Sequence, residues 1–275
     1  MKRKLSIMLI PILAFCFQTM AQGDLLITPT RVVFEGNKQK EELNLVNIGK
    51  DTAIYSISFL QYNMKEDGSF ETVEKTDSGQ MFADPYLRVF PRQVTLAPRE
   101  PQVVVLQYRR KADMSSGEYR SHLYFRAEKN SKPLGIENNP NDTTQLKVQL
   151  IPIFGLSIPV IIRTGEVNVS TSLSDIELVT QQDSVQNLKL DINRTGNISV
   201  YGDIIVEYLP VQGKPFQIGI VKGVGVYTNI SRRNIVVKLN RPSGMILKNG
   251  KLKVQYMNNS DNRKNIFAEE EVEIK

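Results

Sequence analysis

The chain has 275 residues, 41% of them hydrophobic and 23% charged, with one histidine, one cysteine and no tryptophan. Its formal net charge is +6, half of it from Lys2, Arg3 and Lys4, and the remaining charges are well mixed, unlike a nucleic-acid footprint. One histidine and one cysteine are too few for a usual transition-metal centre, and no stretch reaches the ~20 apolar residues of a membrane-spanning helix.

In chain order, the three basic residues precede an apolar run over 5–17 and then the small residue Ala21, the layout of a secretory signal peptide. Residues 1–21 are therefore predicted to be removed, giving an exported chain that begins near Gln22 and does not insert into the membrane. Cys16 would leave with the signal, so the mature chain carries no disulfide and no thiol chemistry. A lipid anchor at Cys16 is disfavoured, because Phe15 stands where a lipobox needs a small residue.

The dominant pattern beyond the signal is alternation. Leu43 and Leu45; Tyr55, Ile57 and Phe59; Leu123, Phe125 and Ala127; Leu188, Leu190 and Ile192; Ile235, Val237 and Leu239; and Leu252, Val254 and Tyr256 each alternate with other residues. Successive strand side chains point to opposite faces, so each run turns one apolar face to a core. Turn signals such as Glu35-Gly36-Asn37, Glu66-Asp67-Gly68, Thr195-Gly196-Asn197 and Lys248-Asn249-Gly250 separate the runs. Many short strands at this spacing, with no competing helical period, predict an all-β chain of two tandem immunoglobulin-like β-sandwiches. The first is expected over 22–162 and the second over 163–275. The polar stretches 63–80 and 129–144 are expected as mobile loops.

Several segments then resemble a known family. The segment Thr28-Pro-Thr-Arg-Val-Val-Phe-Glu-Gly36 followed by Leu43-Asn-Leu-Val-Asn-Ile-Gly49 is similar to the first strands of periplasmic pilus-assembly chaperones of the PapD-like family. The middle of that domain is matched by 89–98, 102–110 and 117–125, and the second domain by 193–202 and 225–228. The likeness is closest to the archaic branch.

The resemblance implies a periplasmic chaperone that binds pilus or fimbrial subunits, caps them by donor-strand complementation, and passes them to an outer-membrane usher, as a monomer until it meets a client. An unfinished subunit exposes an unpaired edge and an open groove, and a lent strand supplies ladder hydrogen bonds and alternate apolar side chains. Matched to the family, Leu146, Val148 and Leu150 are the groove-filling residues, each contributing ~1.5–3 kcal/mol if its side chain is buried. Read from alternation alone, the same three would simply fill their own domain's core. Beyond them, Pro152 and Pro159 cannot donate to a ladder and imply an edge or a bend in an apolar passage toward the inter-domain cleft.

The family also uses two basic residues in that cleft to hold the subunit's C-terminal carboxylate, a task that suits a guanidinium fork. Arg31 falls on the family's arginine. The family's lysine does not carry over, because counting from the donor residues places Gly155 there; Arg163 is the further candidate, with Arg88 and Arg92 as other nearby cations.

No enzyme, cofactor or metal is expected. There is no nucleophile elbow, phosphate loop or zinc-binding helix signature, and clusters such as Glu41-Glu42 and Glu269-Glu270-Glu271 read as solvated faces. Alternation places His122 opposite Leu123 and Phe125, in a structural or exposed role. The alternative reading is a structural or adhesive surface protein built from the same sandwiches. A carbohydrate-binding module is a weaker third, since ten tyrosines do not replace the missing tryptophan platform.

Overall fold

In the computed structural model, residues 24–73, 80–128, 153–180, 186–240, 247, 249–258 and 265–274 are described. The predicted signal, Cys16, and the donor residues Leu146, Val148 and Leu150 lie outside them. The first sandwich contains β1 (Leu25–Thr28), β2 (Val32–Phe34), β3 (Lys40–Asn47), β4 (Ala53–Leu60), β5 (Tyr62–Met64), β6 (Phe70–Thr72), β7 (Leu87–Phe90), β8 (Gln93–Leu96), β9 (Pro101–Tyr108), β10 (Gly117–Ala127) and β11 (Gly155–Thr164). One sheet has the order β1-β3-β9-β7 and the other β2-β11-β10-β4-β8, while β5 and β6 form a separate hairpin.

The second sandwich contains β12 (Val169–Thr180), β13 (Gln186–Gly196), β14 (Val200–Pro210), β15 (Phe216–Val226), β16 (Arg232–Lys238), β17 (Gly250–Asn258) and β18 (Asn265–Ile274). Its sheets run β12-β13-β16 and β15-β14-β17-β18.

The cores follow the alternation. Leu43, Leu45, Tyr55, Ile57, Leu123 and Phe125 are buried in a cluster drawn from residues 25–162, and Leu188, Leu190, Ile192, Val237, Leu252, Val254 and Tyr256 in one drawn from 173–256. Phe59 and Ala127, at the ends of their runs, are only partly buried. Full burial of one such side chain contributes ~1.5–3 kcal/mol, so these faces drive the sandwiches together.

Two local features prepare the cleft. The chain changes sheets between β1, antiparallel to β3, and β2, parallel to β11, and Pro29 at the break has no N–H to continue a ladder. Arg31 is thereby held on the crossing. At the linker, Gly165 has φ +66°, and a Cβ there would collide with the Ser116 side chain, so only glycine turns the chain between the sandwiches.

The stretch 63–80, expected as a mobile loop, instead begins with the β5–β6 hairpin, with register Tyr62↔Thr72 to Met64↔Phe70. Its turn is built locally. Lys65 N–H donates to Ser69 O at 2.9 Å, Asp67 accepts from both the backbone N and Oγ of Ser69, and Gly68 takes φ +84°. Polar composition concealed turn chemistry that a short hairpin needs.

Candidate functional site: the inter-domain cleft and the free edge of β11

From Gly117 to Leu123, β10 is buried on both faces. Tyr119, Ser121, Leu123 and Phe125 point into the first core, while Glu118, Arg120 and His122, on the other face, are covered by the second sandwich. Those three carry the polar contents of the cleft.

Glu118 is the hub. One carboxylate oxygen accepts from Arg120 Nη2 at 2.6 Å; the other accepts from Arg163 Nε at 3.1 Å, Ser199 Oγ at 2.8 Å and Ser199 N at 3.1 Å. Burial pushes this carboxyl up, but Arg120, Arg163 and the Ser199 hydrogen bond prevail and hold it below 4.5. Ser199 belongs to the second sandwich, so the network ties the two together. Arg163, expected as a further carboxylate anchor, has its guanidinium occupied: Nη1 bonds Glu35 at 2.7 Å and Nη2 donates to the Ser199 carbonyl at 3.1 Å. It is an inter-domain tie.

Arg31 is different. It makes no ion pair or hydrogen bond within the described residues and rests over the Tyr201 ring, 4.5 Å from its centroid. Burial, then repulsion from Arg120, lowers its pKa to about 10, with Glu118 opposing. It remains charged at neutral pH, and no described residue takes up its donors. Beside it lies a cavity of about 400 Å³ lined by Arg31, Phe70, Pro159, Tyr201, Tyr227 and Arg233, within the ~300–1,000 Å³ range of ligand sites.

His122 is buried, as its face of β10 requires. Its Nε2 lies 3.2 Å from the Tyr227 hydroxyl, Tyr62 meets its ring edge-on at 4.8 Å, and its Nδ1 has no partner among the described residues. Burial, with Arg120 and Arg31 nearby, drives its pKa down to about 3, so it is neutral across the physiological range. Arg120 stacks 3.7 Å over the Tyr227 ring.

The β5–β6 hairpin forms one wall. Asn229 of the second sandwich donates from Nδ2 to the Met64 carbonyl at 2.8 Å and accepts from the Met64 N–H at 3.4 Å. The Asn234 N–H reaches the Glu66 carbonyl at 2.7 Å, and Arg232 Nη2 pairs with the Glu66 carboxylate at 3.0 Å.

The other candidate surface is on β11, which pairs with β10 along its whole length but with β2 only over Val160–Ile162. Among the described residues, its second edge is unpaired from Gly155 to Pro159. Ala127 N–H donates to the Phe154 carbonyl, so in antiparallel alternation Phe154, Leu156 and Ile158 direct their backbone groups to β10, and Gly155, Ser157 and Pro159 direct theirs outward. Pro159 thus sits where its missing N–H removes no bond to β10, the edge placement expected of a proline.

Along the inward face, Ile158, Val160 and Ile162 are buried, whereas Phe154 is 53% and Leu156 38% exposed, with Ile153 beside them at 42%. The apolar face therefore continues past the end of the home core. Sequence reasoning missed these residues because, in a run apolar on both faces, nothing marks where the core stops.

Gly155 pairs with Arg126, at the end of β10 opposite Glu118, and a Cβ there would strike the Tyr124 ring. Counting to the family's lysine therefore does not reach the cleft; Pro159 is the β11 residue on the cavity wall.

No family model and no curated protein matches this chain. Among solved structures, it is similar to the YadV chaperone (14% identity, TM-score 0.45, covering 90% of this chain and 98% of that one). It is also similar to the CsuC–CsuE chaperone–tip adhesion subunit pre-assembly complex from the archaic chaperone-usher Csu pili of Acinetobacter baumannii (13%, TM-score 0.42, 91% and 99%). A third is the CupB2 chaperone of Pseudomonas aeruginosa (12%, TM-score 0.44, 91% and 100%).

Proposed function

We propose that this chain is an exported, periplasmic chaperone that binds incomplete pilus or fimbrial subunits by lending them a strand, and delivers them to an outer-membrane usher. The carrying observation is that, among the described residues, the edge of β11 between Gly155 and Pro159 is unpaired and its apolar face runs out of the home core through Leu156 and Phe154. A strand with a free edge and alternate exposed apolar side chains is a template for β-augmentation. In the sequence, Leu146, Val148 and Leu150 precede this edge at the same alternate spacing, and the lent strand is taken to include them. Arg31, charged and without an ion pair among the described residues, supports a carboxylate anchor in the cleft. The work done is binding: the client's exposed groove is covered, and release follows exchange of the lent strand for another subunit's own.

The test is co-expression with a small secreted β-subunit encoded beside an outer-membrane usher. The unaltered chain co-purifies with the subunit. The double variant Val148→Asp with Leu150→Asp, and separately Leu156→Asp, lose it, while each variant alone keeps its melting temperature. Undiminished co-purification of the double variant would refute strand donation.

A further inference from the structure

The cavity beside Arg31 has a chemistry of its own, distinct from that of the anchor. Its walls are apolar and aromatic: Phe70 and Tyr227 have ring centroids 5.4 Å apart, Met64 is buried beside them, and Tyr201 lies under Arg31. Gly223 and Gly225 contribute wall without side chains, which leaves room for a ring.

At the second-sandwich side is Arg233 of β16. Its Nη1 donates to the Gly225 carbonyl, and its side chain passes over Gly68 of the hairpin turn. Among the described residues its Nη2 and its buried Nε make no hydrogen bond, and no carboxylate pairs with it. A half-buried cation with an unmatched donor beside an aromatic chamber suits an acceptor oxygen brought in by a ligand.

The geometry points to a specificity pocket for the last residue of the client chain: an aromatic side chain with an oxygen at its tip, tyrosine, its ring among Phe70, Tyr227 and Tyr201 and its phenol oxygen accepting from Arg233, while its terminal carboxylate meets Arg31. This rests on the reading of the cleft as a carboxylate anchor and adds to it which side chain sits next to that carboxylate and which second-sandwich residue selects it. A lysine at that position would bring a cation toward Arg31 and Arg233 and is rejected.

The experiment needs no identified client. The purified mature chain is titrated by NMR with synthetic hexapeptides bearing a free C-terminal carboxylate and ending in tyrosine, phenylalanine or lysine, and with the tyrosine peptide as its amide. Tyrosine binds most tightly, roughly ten-fold over phenylalanine, and the amide loses at least as much. In Arg233→Gln and Arg233→Met the tyrosine-over-phenylalanine ratio falls to about one while the acid-over-amide ratio persists; in Arg31→Gln the acid-over-amide ratio collapses. Equal binding of tyrosine and phenylalanine by the unaltered chain, or a preference that survives both Arg233 variants, overturns the pocket and leaves the anchor standing. Equal binding of acid and amide overturns the anchor itself.

Discussion

Removing the Glu118 carboxylate tests the cleft's electrostatic hub directly. The side chain is almost wholly buried and accepts four hydrogen bonds, two of them from arginines. In Glu118→Ala, Arg120, itself 8% exposed and with Nε and Nη1 unpartnered among the described residues, is left a buried cation whose remaining contacts there are Ser199 Oγ and the Tyr227 ring. Deleting one member of a buried pair costs about 3–5 kcal/mol. The Arg163 contact adds less, since that arginine is 21% exposed and keeps Glu35 and the Ser199 carbonyl. The expected loss is thus about 4 kcal/mol, and about half that for Glu118→Gln, which keeps an acceptor without the charge. Urea unfolding followed by far-ultraviolet circular dichroism, at pH 7, measures it. A loss under about 1 kcal/mol for Glu118→Ala would refute the account. Pairing Glu118→Leu with Arg120→Met, which removes the stranded charge, should recover a large part of the loss.

His122 gives a pH test. Its folded pKa lies well below the unfolded 6.5, so between about 3 and 6.5 the unfolded chain takes up a proton that the folded chain refuses. Its stabilising contribution is therefore complete above pH 6.5 and declines as pH falls, by at most about 1.4 kcal/mol per unit. The carboxyls held low, Glu118, Asp67 and Glu269, act in the same direction as pH approaches the ordinary carboxyl range, so the slope between about pH 6.5 and 5.5 belongs mainly to His122. It should flatten in His122→Asn, and an unchanged slope would show that another group is responsible. For the hairpin clasp, Asn229→Ala removes both bonds to Met64, at a cost of about 1–2 kcal/mol. Hydrogen exchange should accelerate over residues 62–72 with the two cores unchanged; unaltered protection there would argue against the clasp.

Fold class was legible because period-two alternation is a direct record of a half-buried sheet, and runs such as Leu188-Leu190-Ile192 carry it without ambiguity. The cleft was legible only in part. Arg31 stood out by the segment around it, but Glu118 and Arg120 read as ordinary surface charges, since alternation says which face a residue takes and not what covers that face. Arg233 and Ser199 lie far along the chain from the first-sandwich residues they join, and no local spacing links them. Arg163 looked like a free cation for the same reason: its carboxylate partners, Glu35 and Glu118, are brought to it only by tertiary pairing.

The double burial of β10 bears on how such a chain can diversify. Glu118, Arg120 and His122 need the second sandwich to shield them from water, and the Met64–Asn229 clasp spans the same join. The two halves are consequently not exchangeable modules: a chimera that kept one half and borrowed the other would have to import Ser199, Tyr227 and Asn229 together, or leave ionised groups facing an ill-fitting neighbour. Variation is expected to concentrate on the outlying edge of β11, where it leaves the joint undisturbed.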